Sequence, residues 1–221
     1  MSTNRITPTG RPDRDEQAPL RFALFSDVHG RLRVVLHMLR CWQIAHWARL
    51  DGALIAGDLG CFPDPTRFDR ATRRWVEKDP EEAGFSAYFA AMNPTANAYF
   101  EETKGQGPFS KVSCPIFFVP GNHEDYDHIE ACATRKEADG APEGTFPVDA
   151  YESIHCIRDG EVVAIGRPGG PALRIGGLWG IEKTSETENT TSPSRAVRSV
   201  AYGGQQPGRS LGLGPTDGLL K

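Results

Sequence analysis

The 221-residue chain is 38% hydrophobic, carries 24 Gly and 17 Pro, and has a formal net charge of −4. That length holds one domain with a real core, and the Gly and Pro content predicts irregular chain attached to it. The mild charge gives no global pull toward nucleic acid or an anionic membrane, and no apolar run approaches the roughly 18 residues that span a bilayer.

Residues 1–20 read as a disordered leader without the apolar region of a secretory signal. The apolar run at 21–26 predicts a buried strand that ends at Asp27. Leu32, Val35, Leu36, Leu39 and Trp42 recur at helical spacing, which predicts a helix over about 31–50 closed by Gly52. Ala53-Leu54-Ile55-Ala56 forms the next strand and runs into Gly57-Asp58, so strand, helix and strand make a right-handed parallel unit. Two helices are expected within an insertion at 61–113, around 66–79 and 82–103, broken at Asp79-Pro80 and disturbed at Asn93-Pro94. Its aromatic stretch from Phe85 to Phe100 either packs on the sheet or lines a substrate cleft.

Ile116-Phe117-Phe118-Val119 predicts a third strand, followed by Pro120-Gly121-Asn122-His123-Glu124. Residues beyond Asp125 read as a polar loop to about 150. Strands follow at about 153–157, 162–165 and 173–179, with Asp159-Gly160 favouring an antiparallel hairpin between the first two. From Glu182 to Lys221 the composition turns to Ser, Thr, Gly, Pro and Arg, and a low-complexity tail is expected. The domain is thus placed at 21–181. Five cysteines without a C-x-x-C pair predict free thiols in a reducing compartment, and the cytoplasm is the expected location.

Three predicted strands end alike, with Asp, His or Asn just past the last apolar residue. Ligand sites assemble at the carboxyl ends of parallel strands, so Asp27, His29, Asp58, Asn122 and His123 are expected to meet there. Carboxylate, imidazole and amide donors suit divalent ions such as Mn²⁺, Fe²⁺ or Zn²⁺. Two such ions clamp a phosphoryl group and activate water between them. Asp58, in the middle block, is the expected bridge; Asp27 and His29 bind the first ion and Asn122 the second. His123 then faces the phosphate as the catalytic residue, either a general acid or a positive partner for the developing charge. Glu124 reads as a partner of these groups or as a surface carboxylate. Arg31, Arg33 and Arg40 either steer phosphate or form a solvated helix face.

The blocks Asp27-x-His29, Gly57-Asp58-x-Gly60 and Gly121-Asn122-His123-Glu124, in this order and each after a strand, resemble the calcineurin-like metallophosphoesterases. The resemblance covers residues 21–125 and extends to Leu173–Gly180. It implies an α/β fold, the N-terminal portion of a four-layer αββα sandwich, and two-metal hydrolysis of a phosphomonoester or phosphodiester. The expected partners are a small phosphoester or a nucleotide; nucleic acid stays open without support, and no membrane partner is expected. Gly57-Asp58-Leu59-Gly60-Cys61-Phe62-Pro63 departs from the block of the protein phosphatases in this superfamily, which disfavours a protein substrate.

The family pattern continues with a single His and then Gly-His-x-His. No histidine follows His155, so the first ion lacks one expected imidazole and the second lacks two. Occupancy of the second position is therefore in doubt. Two readings follow: a truncated or frameshifted form of a longer gene, or a short module that binds without catalysis.

Overall fold

The computed structural model describes residues 19–135, 142–167 and 169–180, all within one compact unit, Met1–Lys183. The expected tail lies outside the described residues, as does nearly all of the expected leader. The fold is mixed α/β, built on a five-stranded sheet in which parallel pairing dominates.

Strand β1 (Phe22–Ser26) leads into helix α1 (Leu32–His46), which buries Leu32, Val35, Leu36 and Leu39 on the side predicted from their spacing. The helix stops earlier than expected. Trp47 adopts the left-handed conformation at φ 47°, and the amides of Trp47 and Ala48 bond back to Ile44 and Gln43. Gly52 instead begins β2 (Gly52–Ala56).

The insertion is more broken than two helices. Pro65, Pro80 and Pro94 each begin a helical turn, and the side chains of Asp64, Asp79 and Asn93 cap those turns. A proline lacks the amide that an ongoing helix needs, yet fits the first helical position. The result is a 3-10 turn at Pro65–Arg67, helix α2 (Arg70–Val76), a 3-10 turn at Pro80–Ala83, a π turn at Phe85–Phe89 and helix α3 (Pro94–Phe100). Phe85 and Phe89 are buried in the main core, so the aromatic stretch packs inward there.

Strand β3 (Ile116–Val119) lies where expected. The loop predicted after Asp125 is instead helix α4 (Tyr126–Ala133), capped by the Asp125 side chain and burying Ile129 and Cys132. Strand β4 (Thr145–Pro147) follows, then β5 (Ile154–Ile157), β6 (Val162–Gly166) and β7 (Ala172–Gly176). The sheet order is β1-β2-β3-β5-β4, with β6 and β7 forming a separate two-stranded sheet.

The hairpin expected at Asp159-Gly160 does not form, because β5 pairs in parallel with β3 and the hairpin is β6–β7. Every residue of β5 is buried, which suits an interior strand covered on both faces. Alternation along β3 divides the core accordingly. Ile116 and Phe118 point into the helix side, while Phe117 packs with Ile157, Val163 and Ile165 toward the small sheet. No helix among the described residues is long and apolar enough to cross a membrane.

Candidate metal centre

Register brings the site loops together. Ser26 pairs with Ala56, and Ala56 with Val119, so β1, β2 and β3 end level with one another. The next residues of each strand therefore leave the sheet side by side. Backbone bonds then join the loops. The His29 amide donates to the Asp58 carbonyl and the Gly30 amide to the Leu59 carbonyl, both at 2.8 Å. The Asp125 amide donates to the Cys61 carbonyl at 3.2 Å, and the His123 amide to Asp58 Oδ1 at 3.0 Å.

Glu124 ties the second loop to the third. Its Oε1 accepts from the Leu59 amide at 2.7 Å and its Oε2 from the Cys61 amide at 2.6 Å. Burial pushes its carboxyl up to about 7, against the pull of the amides of Cys61, Leu59 and Gly121. Its position is structural: a buried bracket beneath the loops.

Asp27, His29 and Asp58 have φ values of 51°, 47° and 47°, which makes them three of the five non-glycine residues with positive φ among the described residues. Each such conformation costs on the order of 1–2 kcal/mol, less for Asp than for most residues. Strain of this kind, gathered after two adjacent strand ends, marks a place where the backbone serves something other than stability. Gly121 permits the closest approach: a Cβ there would lie 2.1 Å from Asp58 Oδ1 and 2.4 Å from the Asp58 amide nitrogen.

The outcome is that His29, Asp58 and His123 meet, each half-buried, with a ligand atom of each within 4.8 Å of the others. The rings of His29 and His123 lie 5.0 Å apart. Asp27 and Asn122 are exposed past the ends of β1 and β3, with β2 between those strands, and Asp27 stands outside the three-residue group. Two imidazole nitrogens and a carboxylate oxygen suit a divalent transition metal. Three donor atoms that lie within 4.8 Å of one another can surround a single ion. Among the described residues, this is the one group of His, Cys, Asp and Glu that close.

His123 has a second partner that the sequence did not announce. Its Nδ1 lies 2.6 Å from Asp69 Oδ2, while Asp69 Oδ1 accepts from the Thr72 amide at 2.7 Å as the cap of α2. Burial opposes ionisation of Asp69, but the Thr72 amide and the His123 ring outweigh it and hold the carboxyl below its usual range. The helix expected over about 66–79 would have placed Asp69 in its interior; α2 instead begins at Arg70, and nothing in the sequence marked Asp69.

An open cleft of about 310 Å³ reaches His29 and His123, with Arg31, Thr72, Trp75 and Glu82 in its walls. Arg31 is held by two carboxylates, Nε to Asp79 Oδ2 at 2.8 Å and Nη2 to Glu82 Oε1 at 2.6 Å. Arg33 bonds Glu81 and the Tyr88 hydroxyl, and Arg40 bonds the Ala98 carbonyl. Of these three arginines, Arg31 alone reaches the cleft. His155 is buried in β5 against Phe117.

A family model for calcineurin-like phosphoesterases matches residues 20–167. No curated protein and no solved structure matches the chain.

Proposed function

The chain belongs to the calcineurin-like phosphoesterases, and we propose that it hydrolyses a phosphomonoester or phosphodiester at a dinuclear divalent-metal centre. The family carries out metal-dependent phosphoester hydrolysis in general. In the proposed site Asp27, His29 and Asp58 would hold one ion and Asn122 a second, with Asp58 the carboxylate available to both. Manganese, or an iron and zinc pair, fits these donors. Bound there, the ions would lower the pKa of water and neutralise charge developing on the phosphoryl group.

The chain's own residues supply the rest. Asp58 commits Oδ1 to the His123 amide, which fixes its carboxylate plane and leaves Oδ2 for ligation. Asp69, held ionised, keeps the His123 proton on Nδ1 when the ring is neutral. Nε2 is then the atom left to hold a second proton and release it to the departing oxygen. Arg31, pinned by Asp79 and Glu82, presents positive charge at the cleft without a large reorganisation.

The convergence of His29, Asp58 and His123 at level strand ends carries this reading. Its test is Mn²⁺-dependent cleavage of p-nitrophenyl phosphate and bis(p-nitrophenyl) phosphate by the purified chain. Activity that Asp58→Ala and His123→Ala abolish supports the assignment. Activity retained in both variants refutes it.

A second reading, a phosphoesterase-like module that binds without catalysis, is favoured by one observation. Asp27 stands outside the group that His29, Asp58 and His123 form. Elemental analysis separates the two: an inactive, metal-free chain supports the module. All five cysteines are free, which suits the cytoplasm or another reducing compartment.

A further inference from the structure

We propose that the cleft beside the metal centre takes a phosphoester of a nucleoside, with the base stacked on Trp75. This rests on the hydrolytic reading above, which places the phosphate at His29 and His123.

Trp75 is 43% exposed and belongs to neither apolar cluster among the described residues. It is nonetheless a wall of the cleft that ends at His29 and His123. A large exposed indole in the cleft wall, beside Ala71 and Thr72, offers a flat π surface, and every nucleobase has a matching face. Two cations lie over the ring, the Arg74 guanidinium 5.4 Å and the Lys78 ammonium 4.6 Å from its centre, so they hold the indole and share its π surface with any ligand. Cations near an indole steady the ring and add charge that favours a phosphorylated ligand.

Helix α2 links this surface to the reacting end. Asp69 caps the helix and holds His123, while Trp75 lies near its other end. A rise of 1.5 Å per residue sets the two about 9 Å apart along the axis, of the order of a nucleoside's own length. Thr72 and Trp75, three residues apart, share the helix side that walls the cleft. The same helix exposes Arg70, Arg73 and Arg74, with Lys78 just beyond. This local basic surface contrasts with the chain's net charge of −4, and it favours a phosphate-bearing ligand at this edge. A phosphoester lacking an aromatic group would leave the indole unused.

The test is titration calorimetry of the whole chain with EDTA present, so that neither turnover nor metal affinity enters. AMP is compared with ribose 5-phosphate, which has no base. AMP is expected to bind about tenfold tighter. Trp75→Ala should remove that difference and leave ribose 5-phosphate binding unchanged, while Trp75→Phe should keep part of it. Unchanged circular dichroism is expected for both variants, and if Trp75→Ala unfolds, Trp75→Phe and Trp75→Leu carry the comparison.

A short oligo(dA) strand identifies the source of the base. Tighter, salt-sensitive binding than AMP assigns a nucleic-acid strand, and equal affinity assigns a free nucleotide; both support base stacking. Equal affinities for AMP and ribose 5-phosphate, or no binding of AMP, overturn the proposal. Failure of Mn²⁺-dependent hydrolysis with base discrimination intact would instead count against the hydrolytic reading alone.

Discussion

Asp69 Oδ2 lies 2.6 Å from His123 Nδ1, so a residue of the insertion fixes the ring that stands over the candidate metal centre. The same carboxylate caps α2 through Oδ1, which makes the helix and the His123 ring one mechanical unit. Asp69→Asn separates the two roles. Asparagine caps a helix about as well as aspartate, so stability should change by less than about 0.5 kcal/mol. An amide does not hold the ring's tautomer as a carboxylate does, so kcat should fall by about 10²–10⁴ with KM little altered. Steady-state kinetics beside thermal melting checks this.

Gly121→Ala tests the close approach of two site loops. The added Cβ would meet backbone and carboxylate atoms of Asp58, neither of which can swing away cheaply. We expect activity to fall at least about 100-fold and stability by about 1–3 kcal/mol, as for an overpacked interior. Near-normal turnover in this variant would show that Asp58 need not hold its present place.

Glu124→Ala tests the bracket beneath the centre. It leaves the buried amides of Leu59 and Cys61 without their acceptor. A loss of about 3 kcal/mol is expected, from unsatisfied donors rather than a cavity alone. Glu124→Gln should show much of the same loss, since its NH₂ group must face one of those amides. Urea unfolding of the metal-free chain reads both.

Much of the fold was legible because apolar runs and glycine-flanked blocks coincide. The ends of β1, β2 and β3 and the buried face of α1 follow from spacing alone. Helix α4 was not legible, since its eight residues bury only Ile129 and Cys132 and the rest is polar. The partner of β5 was also hidden, because a turn pair reports local geometry and not which sheet a strand joins. Proline positions foretold the breaks at Pro80 and Pro94, but not the π turn between them. At the site, residue types and their order pointed to Asp27, His29, Asp58, Asn122 and His123. Asp69 and Trp75 were not marked, because a helix cap and a surface aromatic carry no distinguishing pattern until folding brings them beside His123.

His155 gives a pH signature away from the site. Burial pulls its pKa below 6.5, while Glu152 pushes weakly the other way, and its Nδ1 has no hydrogen-bond partner among the described residues. A depressed pKa means that the unfolded chain takes the proton first as pH falls. Stability tied to neutral His155 is therefore intact above about pH 6.5 and is lost as pH drops from there through the folded-state value. His155→Leu should flatten the fall in stability of metal-free protein across that window relative to the parent. Parallel curves for the two would contradict the assignment.

The level ends of β1, β2 and β3 are proposed to build a divalent-metal centre around Asp58. Calorimetric titration of the metal-free chain with Mn²⁺, with Asp58→Ala as the comparison, reads this without any substrate. Saturable binding in the parent and a loss of affinity of at least about 100-fold in the variant are expected. Equal binding by the two proteins, or no binding by either, would contradict the proposal.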